Sequence, residues 1–176
     1  MEIDPEDGKG REVQVKVPFE GGVPNECGMQ KDSFLLDVGI VRCANSPGAE
    51  LASLFVKELR EAGYKVTTGD ATSSPTTLQL EGDLLRLYAE PVSKSSMEAD
   101  IQVNLKARTG NGLDAERKFY EKGRAASFQR AVNSAVRKML QSMVSSVAEL
   151  LDQYPSLGKP SRTKSTAVPK TESSPR

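Results

Sequence analysis

Residues 97–108 alternate without a single exception. Met97, Ala99, Ile101, Val103, Leu105 and Ala107 take every second position, with Glu98, Asp100, Gln102, Asn104, Lys106 and Arg108 between them. Successive side chains of a strand point to opposite faces, so this run is a strand with one face buried and the other in water. Gly110-Asn111-Gly112 follows, and Asn and Gly accept the positive φ that a tight hairpin turn needs. The chain then returns as a partner strand from Leu113 to Glu121. Such a hairpin is stable only if the rest of the chain covers its apolar side.

Two amphipathic helices can supply that cover. Asn45-Ser46-Pro47 predicts a helix start, because Ser46 can cap and Pro47 suits the first helical position. Leu51, Leu54, Phe55, Leu59 and Ala62 then fall on one helical face, and Gly63 supplies the stop. A second helix starts at Ser127. Phe128, Val132, Ala135, Met139, Met143, Val147 and Leu150 run along it at three- and four-residue spacing. At 1.5 Å per residue it spans about 35–40 Å, enough to cross a sheet.

Two further segments read as strands. Phe34 to Cys43 is a short apolar run, with Val38 and Ile40 alternating with Val41. In Thr77 to Val92, Leu78, Leu80 and Leu84 share one face while Leu85, Leu87 and Ala89 share the other. A phase change beside Gly82 predicts a bulge or bend. The order β-α-β-β-β-α predicts an α+β fold: a two-layer sandwich, with an antiparallel sheet of about four strands covered by two helices. Residues 32–154 are expected to form this one domain, which suits a chain of 176 residues. Residues 1–31 read as a partly ordered arm, with Val13 to Val17 as an edge strand or part of the arm. Residues 155–176, rich in Ser, Thr, Pro and Lys, read as a disordered tail, since little in them is apolar enough to offset ordering.

Composition narrows the chemistry. Lys plus Arg equals Asp plus Glu at 24 each, so no overall field draws the chain to nucleic acid or anionic lipid. There is no His, which removes the commonest general base and transition-metal ligand, and no Trp. Cys27 and Cys43 lie outside any C-x-x-C spacing, which excludes a zinc or thioredoxin motif. A disulfide and two separate thiols both fit, and the place of Cys43 at the end of a predicted strand favours separate thiols. Ser93-Lys94-Ser95-Ser96 contains the parts of a Ser–Lys dyad, but a solvated hairpin turn explains it better. Glu98 and Asp100 read as cross-strand partners of Lys106 and Arg117, not as an acid–base pair. Met139 and Met143 read first as core and second as a groove lining. No catalytic, cofactor or metal site is expected, and the chain is not read as an enzyme.

The helix Leu54 to Val66, containing Lys57-Glu58-Leu59-Arg60-Glu61-Ala62-Gly63-Tyr64, resembles that of the YajG-type family of bacterial envelope lipoproteins. The segment from Leu78 to Glu90, the strand Ala99 to Arg108, the Asn111-Gly112 turn, Lys118-Phe119-Tyr120 and the closing Ala131 to Val136 are similar too, over roughly residues 34–153. The same layout recurs in auxiliary lipoproteins of envelope lipid-transport systems. The resemblance implies a periplasm-facing, membrane-anchored binding or scaffolding domain without catalysis or cofactor, at the periplasm or the inner leaflet of the outer membrane, with an envelope protein or lipid as partner. It also implies lipid attachment at Cys27, since Cys27 to Ser33 looks like the start of a mature lipoprotein. Val23-Pro24-Asn25-Glu26 before it departs from a lipobox, and the N-terminus is polar and acidic where a leader would be apolar.

The alternative class is a cytoplasmic double-stranded-RNA-binding module, which shares the order helix, three antiparallel strands, helix. Such modules set a lysine cluster at the start of the second helix. Here Gly123-Arg124-Ala125-Ala126-Ser127 offers one basic residue, which disfavours nucleic acid as a partner.

Overall fold

The computed structural model describes residues 8, 10–20, 26–69, 76–110 and 112–158. Among these residues seven strands and two helices occur in the order β1 (Glu12–Val15), β2 (Glu26–Lys31), β3 (Asp37–Arg42), α1 (Pro47–Glu61), β4 (Lys65–Thr68), β5 (Leu78–Ser93), β6 (Ser96–Arg108), β7 (Asp114–Ala125) and α2 (Phe128–Gln153). The fold is mixed α+β.

The strand that alternates so strictly is β6. It pairs along its whole length with β7 on one side and with β5 on the other, both antiparallel. Its apolar residues Ala99, Ile101, Val103 and Leu105 are buried, as the pattern requires. β5 is long enough to be shared on its far edge: β1 pairs with its first residues and β2 with Ala89 near its other end. β4 continues the sheet beyond β1, and β3 continues it beyond β2. One sheet of seven strands therefore divides into two wings along β5.

This corrects the expected antiparallel four-stranded sandwich. The β1–β4, β1–β5 and β2–β5 pairs are all parallel. The reason lies in the first 31 residues, read from sequence as a partly ordered arm with Val13 to Val17 as an edge strand or part of it. β1 is an interior strand between β5 and β4, with Val13 and Val15 fully buried, and β2 carries the second wing. A four-residue strand buries little and announces itself weakly, so its charged and Gly-rich flanks dominated the sequence pattern. At the other end, residues 155–158 also belong to the domain. Leu157 is buried, Gly158 N–H donates to Thr76 O, and Glu12 N–H donates to Gly158 O. The remainder of the expected tail, 159–176, lies outside the described residues, as do Asn111 and residues 70–75.

The phase change in β5 is resolved by a bulge at Leu85. The register with β6 shifts between Leu84 and Arg86, which turns Leu85 outward and brings Leu87 and Ala89 back to the face of Leu78, Leu80 and Leu84. The bulge sits slightly beyond the predicted place, and Gly82 has a different task. A side chain there would collide with the Phe19 ring, which packs flat over the glycine and tilts against Phe55.

Both helices lie on the buried face. α1 buries Leu51, Ala52, Phe55, Val56 and Leu59, and Gly63 at φ 87° ends it as predicted. Leu54, assigned to the core face from spacing, is 40% exposed, because the buried arc is centred on Phe55 and leaves Leu54 at its margin. α2 buries Met139 and Met143 completely, so both belong to the core. Gly123 of β7 lets the α2 backbone at Ala131 and Ala135 come into direct contact with the strand.

Candidate functional site

The second wing of the sheet is tied down by a disulfide. The antiparallel β2–β3 pairing brings Cys27 and Cys43 together with their Cα atoms 5.6 Å apart, and their sulfurs are bonded. Of the two readings the sequence left open, the bonded pair is the one observed, against the favoured separate thiols, because β2 pairs with β3 and sets Cys27 beside the end of that strand. It also bears on the expected lipid attachment at Cys27: that sulfur is held in the disulfide, and Cys27 is 2% exposed. A chain beginning at Cys27 would moreover lack β1, an interior strand.

Beside the disulfide lies a groove of about 310 Å³. Its floor is Leu84, Leu87 and Ile101 of the sheet. Leu51 and Leu54 of α1 form one wall, and Phe128, Val132 and Val136 of α2 the other. Arg42, Asn45, Glu50, Gln129 and Asn133 surround its mouth. The groove explains why Leu54 is apolar though half exposed: it faces a gap between the helices. Asn45 donates to the Glu50 carboxylate at 2.7 Å, which fixes part of the rim. The lining is apolar at the floor and walls and polar at the mouth.

The hairpin beyond the disulfide presents a second surface. Phe34, Leu36, Val38 and Ile40 are 81%, 64%, 59% and 52% exposed. The turn that carries the first two is built, not loose. The Asp32 carboxylate accepts hydrogen bonds from Phe34 N–H at 2.8 Å and Leu36 N–H at 3.0 Å. Leu35 between them sits at φ 63°, a left-handed conformation that costs a residue with a Cβ about 1–2 kcal/mol. Neither the exposure of this strip nor the turn was legible in the sequence, where the run reads as an ordinary core strand.

The open face of the sheet is a lattice of charges. Glu98 accepts from Lys122 at 2.7 Å and Arg124 at 2.6 Å, while Asp100 faces Arg86, Lys122 and the Tyr120 hydroxyl. Cross-strand pairing was the right expectation, with the wrong partners: Lys106 goes to Asp83, and Arg117 crosses to Glu149 and Ser146 of α2. Hydrogen bonds from Lys122 and Arg124 hold the Glu98 carboxyl below its ordinary value. Lys122 and Lys106 keep their protons above the usual range through the carboxylates of Glu98 and Asp83, as Lys31 does through Glu90. Desolvation pushes the Tyr88 phenol up. The charged groups among them pair with one another across strands. Arg124, the one basic residue at the position of an RNA-binding cluster, is among them.

Ser93, Lys94, Ser95 and Ser96 occupy the β5–β6 hairpin turn at the surface, where Ser95 N–H reaches Ser93 Oγ at 3.4 Å. Among the described residues no group of three or more Cys, Asp or Glu side chains is placed to hold a metal ion. Among them, too, no helix is long and apolar enough to cross a membrane.

No family model matches the sequence, and no curated protein matches it. The fold does have relatives. Protein XCC0632 from Xanthomonas campestris, of family model DUF330, superposes with a TM-score of 0.58 at 14% identity, over 87% of this chain and 95% of that one. The hypothetical protein CT253 from Chlamydia trachomatis superposes with a TM-score of 0.51 at 10% identity, over 79% and 96%. A minor lipoprotein from Acinetobacter baumannii matches more distantly, with a TM-score of 0.42 at 10% identity over 80% and 92%, too remote to carry anything to this chain. What is shared at these identities is the fold.

Proposed function

We propose that this chain is a non-catalytic binding or scaffolding domain of the bacterial cell envelope, similar to the YajG-type lipoproteins and accessory to a transport or assembly complex. The groove beside the disulfide carries the reading. At about 310 Å³ it stands at the lower limit of ligand pockets, which run from about 300 to 1,000 Å³. It suits one bulky apolar side chain from a partner, or a short apolar ligand, better than a whole lipid. Binding sites anchored by one buried apolar group inside a polar rim are the usual form of a protein–protein hot spot. The disulfide supports the compartment, because such bonds persist in the periplasm and are reduced in the cytosol. The charge lattice supports the absence of catalysis, since its carboxylates are each matched by a cation. Membrane association in this reading does not run through the Cys27 sulfur.

The test uses the protein in its native host. Alkylation before and after reduction reads the state of Cys27 and Cys43, and fractionation reads the compartment. Oxidised cysteines in the periplasmic or membrane fraction are expected; reduced thiols in the cytoplasm would end the envelope reading. Binding is tested by placing a photo-reactive residue at Asn133, on the rim. A specific envelope adduct that Leu54→Glu reduces, with the fold intact, is the expected result. Hydrolysis of a generic ester or phosphoester that Ser93→Ala or Ser95→Ala abolishes would refute the absence of catalysis.

A further inference from the structure

Among the described residues the sheet has three edge strands, and they are not alike. β4 is four residues long and exposes Lys65, Thr67 and Thr68. β7 exposes Glu116, Arg117, Lys118, Lys122 and Arg124. Shortness and charge are the ordinary ways of keeping an edge from pairing with another chain. β3 has neither. Its sequence, Asp37-Val-Gly-Ile-Val-Arg42, carries charge only at its two ends and presents exposed apolar side chains between them. No described strand pairs with its outer side.

We propose that the outer edge of β3 binds a second copy of this chain in antiparallel fashion about a two-fold axis near Ile40. The inference is independent of what the groove holds. The charges set the direction. Asp37 at the start and Arg42 at the end come near their opposites when two copies run antiparallel, whereas in-register parallel pairing would set Asp37 beside Asp37 and Arg42 beside Arg42. The local geometry sets the axis. Val38 has no partner on β2, and a second register shift falls between Val41 and Arg42, so the regular run of β3 is Gly39 to Val41, with Ile40 at its middle. Pairing through the same edge then puts Ile40 opposite Ile40 and Gly39 opposite Val41. Gly39 is not demanded by packing inside the chain: a Cβ there would meet only the Gln30 side chain, at ordinary contact distance. Three regular residues make a short seam. The fixed turn lengthens it, because Phe34 and Leu36 of one copy then run alongside Ala44 to Ser46 of the other. This gives the held, costly turn at Leu35 a purpose: it presents Phe34 as an anchor.

Sedimentation equilibrium of the full chain, disulfide intact, from micromolar to millimolar concentration tests this. The mass should rise from 19.0 kDa toward that of a dimer as concentration increases. Ile40→Lys, which brings like charges together at the axis, and Phe34→Asp should each weaken the dimer at least about tenfold with an unchanged circular dichroism spectrum. Lys118→Glu on the β7 edge should leave it unaffected. A monomer throughout would overturn the proposal, and so would a dimer that Ile40→Lys leaves intact. A monomer that pellets with phosphatidylethanolamine–phosphatidylglycerol vesicles and is released by Phe34→Asp would overturn it too, and would assign the strip to a lipid surface.

Discussion

Leu84 and Leu85 are neighbours of the same type, and the bulge between them decides their worth. Leu84 is 2% exposed and Leu85 is 45% exposed. Truncating Leu84 to Ala should cost about 2–5 kcal/mol, as for other buried leucines, while Leu85→Ala should stay within about 0.5 kcal/mol. Urea unfolding of the two variants measures both. Gly82→Ala introduces a methyl where the Phe19 ring lies, and overpacking of that kind costs about 1–3 kcal/mol. A lowered urea midpoint is expected; an unchanged one would mean that the ring moves freely. Glu98 gives the pH dependence at this scale. Its folded value lies below the ordinary 4.5, so its contribution is fully present above pH 4.5 and is lost as pH falls through the lower folded value. Glu98→Gln should therefore be less stable than the native chain at neutral pH. The gap should close on acidification, measured as urea midpoints along a pH series.

At the scale of elements, the hairpin of β2 and β3 depends most on something outside its own sequence. Few of its side chains are buried, and β2 meets β5 in register at only one residue, Gly28 with Ala89. The disulfide closes its loop at a separation of 16 residues. Replacing Cys27 and Cys43 by Ser should cost about 3 kcal/mol by the loop-entropy account. Amide exchange should rise in β2 and β3 while β5 and β6 stay protected. Uniform loss of protection across the sheet would show that the hairpin does not open separately. α1 and α2 were legible from spacing because each carries a continuous apolar stripe, and β6 from alternation. β1 was half legible, as the run Val13 to Val17 that read as an edge strand or part of the arm, and β2 was not. A four-residue strand and a Gly-containing one such as Glu-Cys-Gly-Met-Gln-Lys offer too few periods to stand out.

On the scale of the whole molecule, the long strand β5 is the organising element, with β6 along one side and two separate wings along the other. The groove is a product of that division, lying where the second wing, the disulfide and the first turns of both helices meet. None of its lining residues is unusual in type, and they come from five separate stretches of sequence, so no local motif could announce it. Leu54 was the one hint, an apolar residue at the margin of its helical face. The exposed strip of Phe34, Leu36, Val38 and Ile40 was hidden for the opposite reason. Its composition is that of a core strand, and only its place at the sheet edge makes it surface.

The sequence by itself determined the local periodicities: a strictly two-faced strand, its hairpin partner, two amphipathic helices and their stops. Those follow from side-chain direction within a few residues, which pattern alone reveals. It also determined the absence of histidine, which narrows the chemistry before any fold is known. Only the tertiary structure decided the parallel pairings through β1 and β2, the bond between Cys27 and Cys43, and which apolar residues face a groove or solvent in place of the core. Each of those is a contact between segments far apart in the chain. Whether it forms depends on how much apolar surface all the segments bury together, a quantity that no single stretch contains.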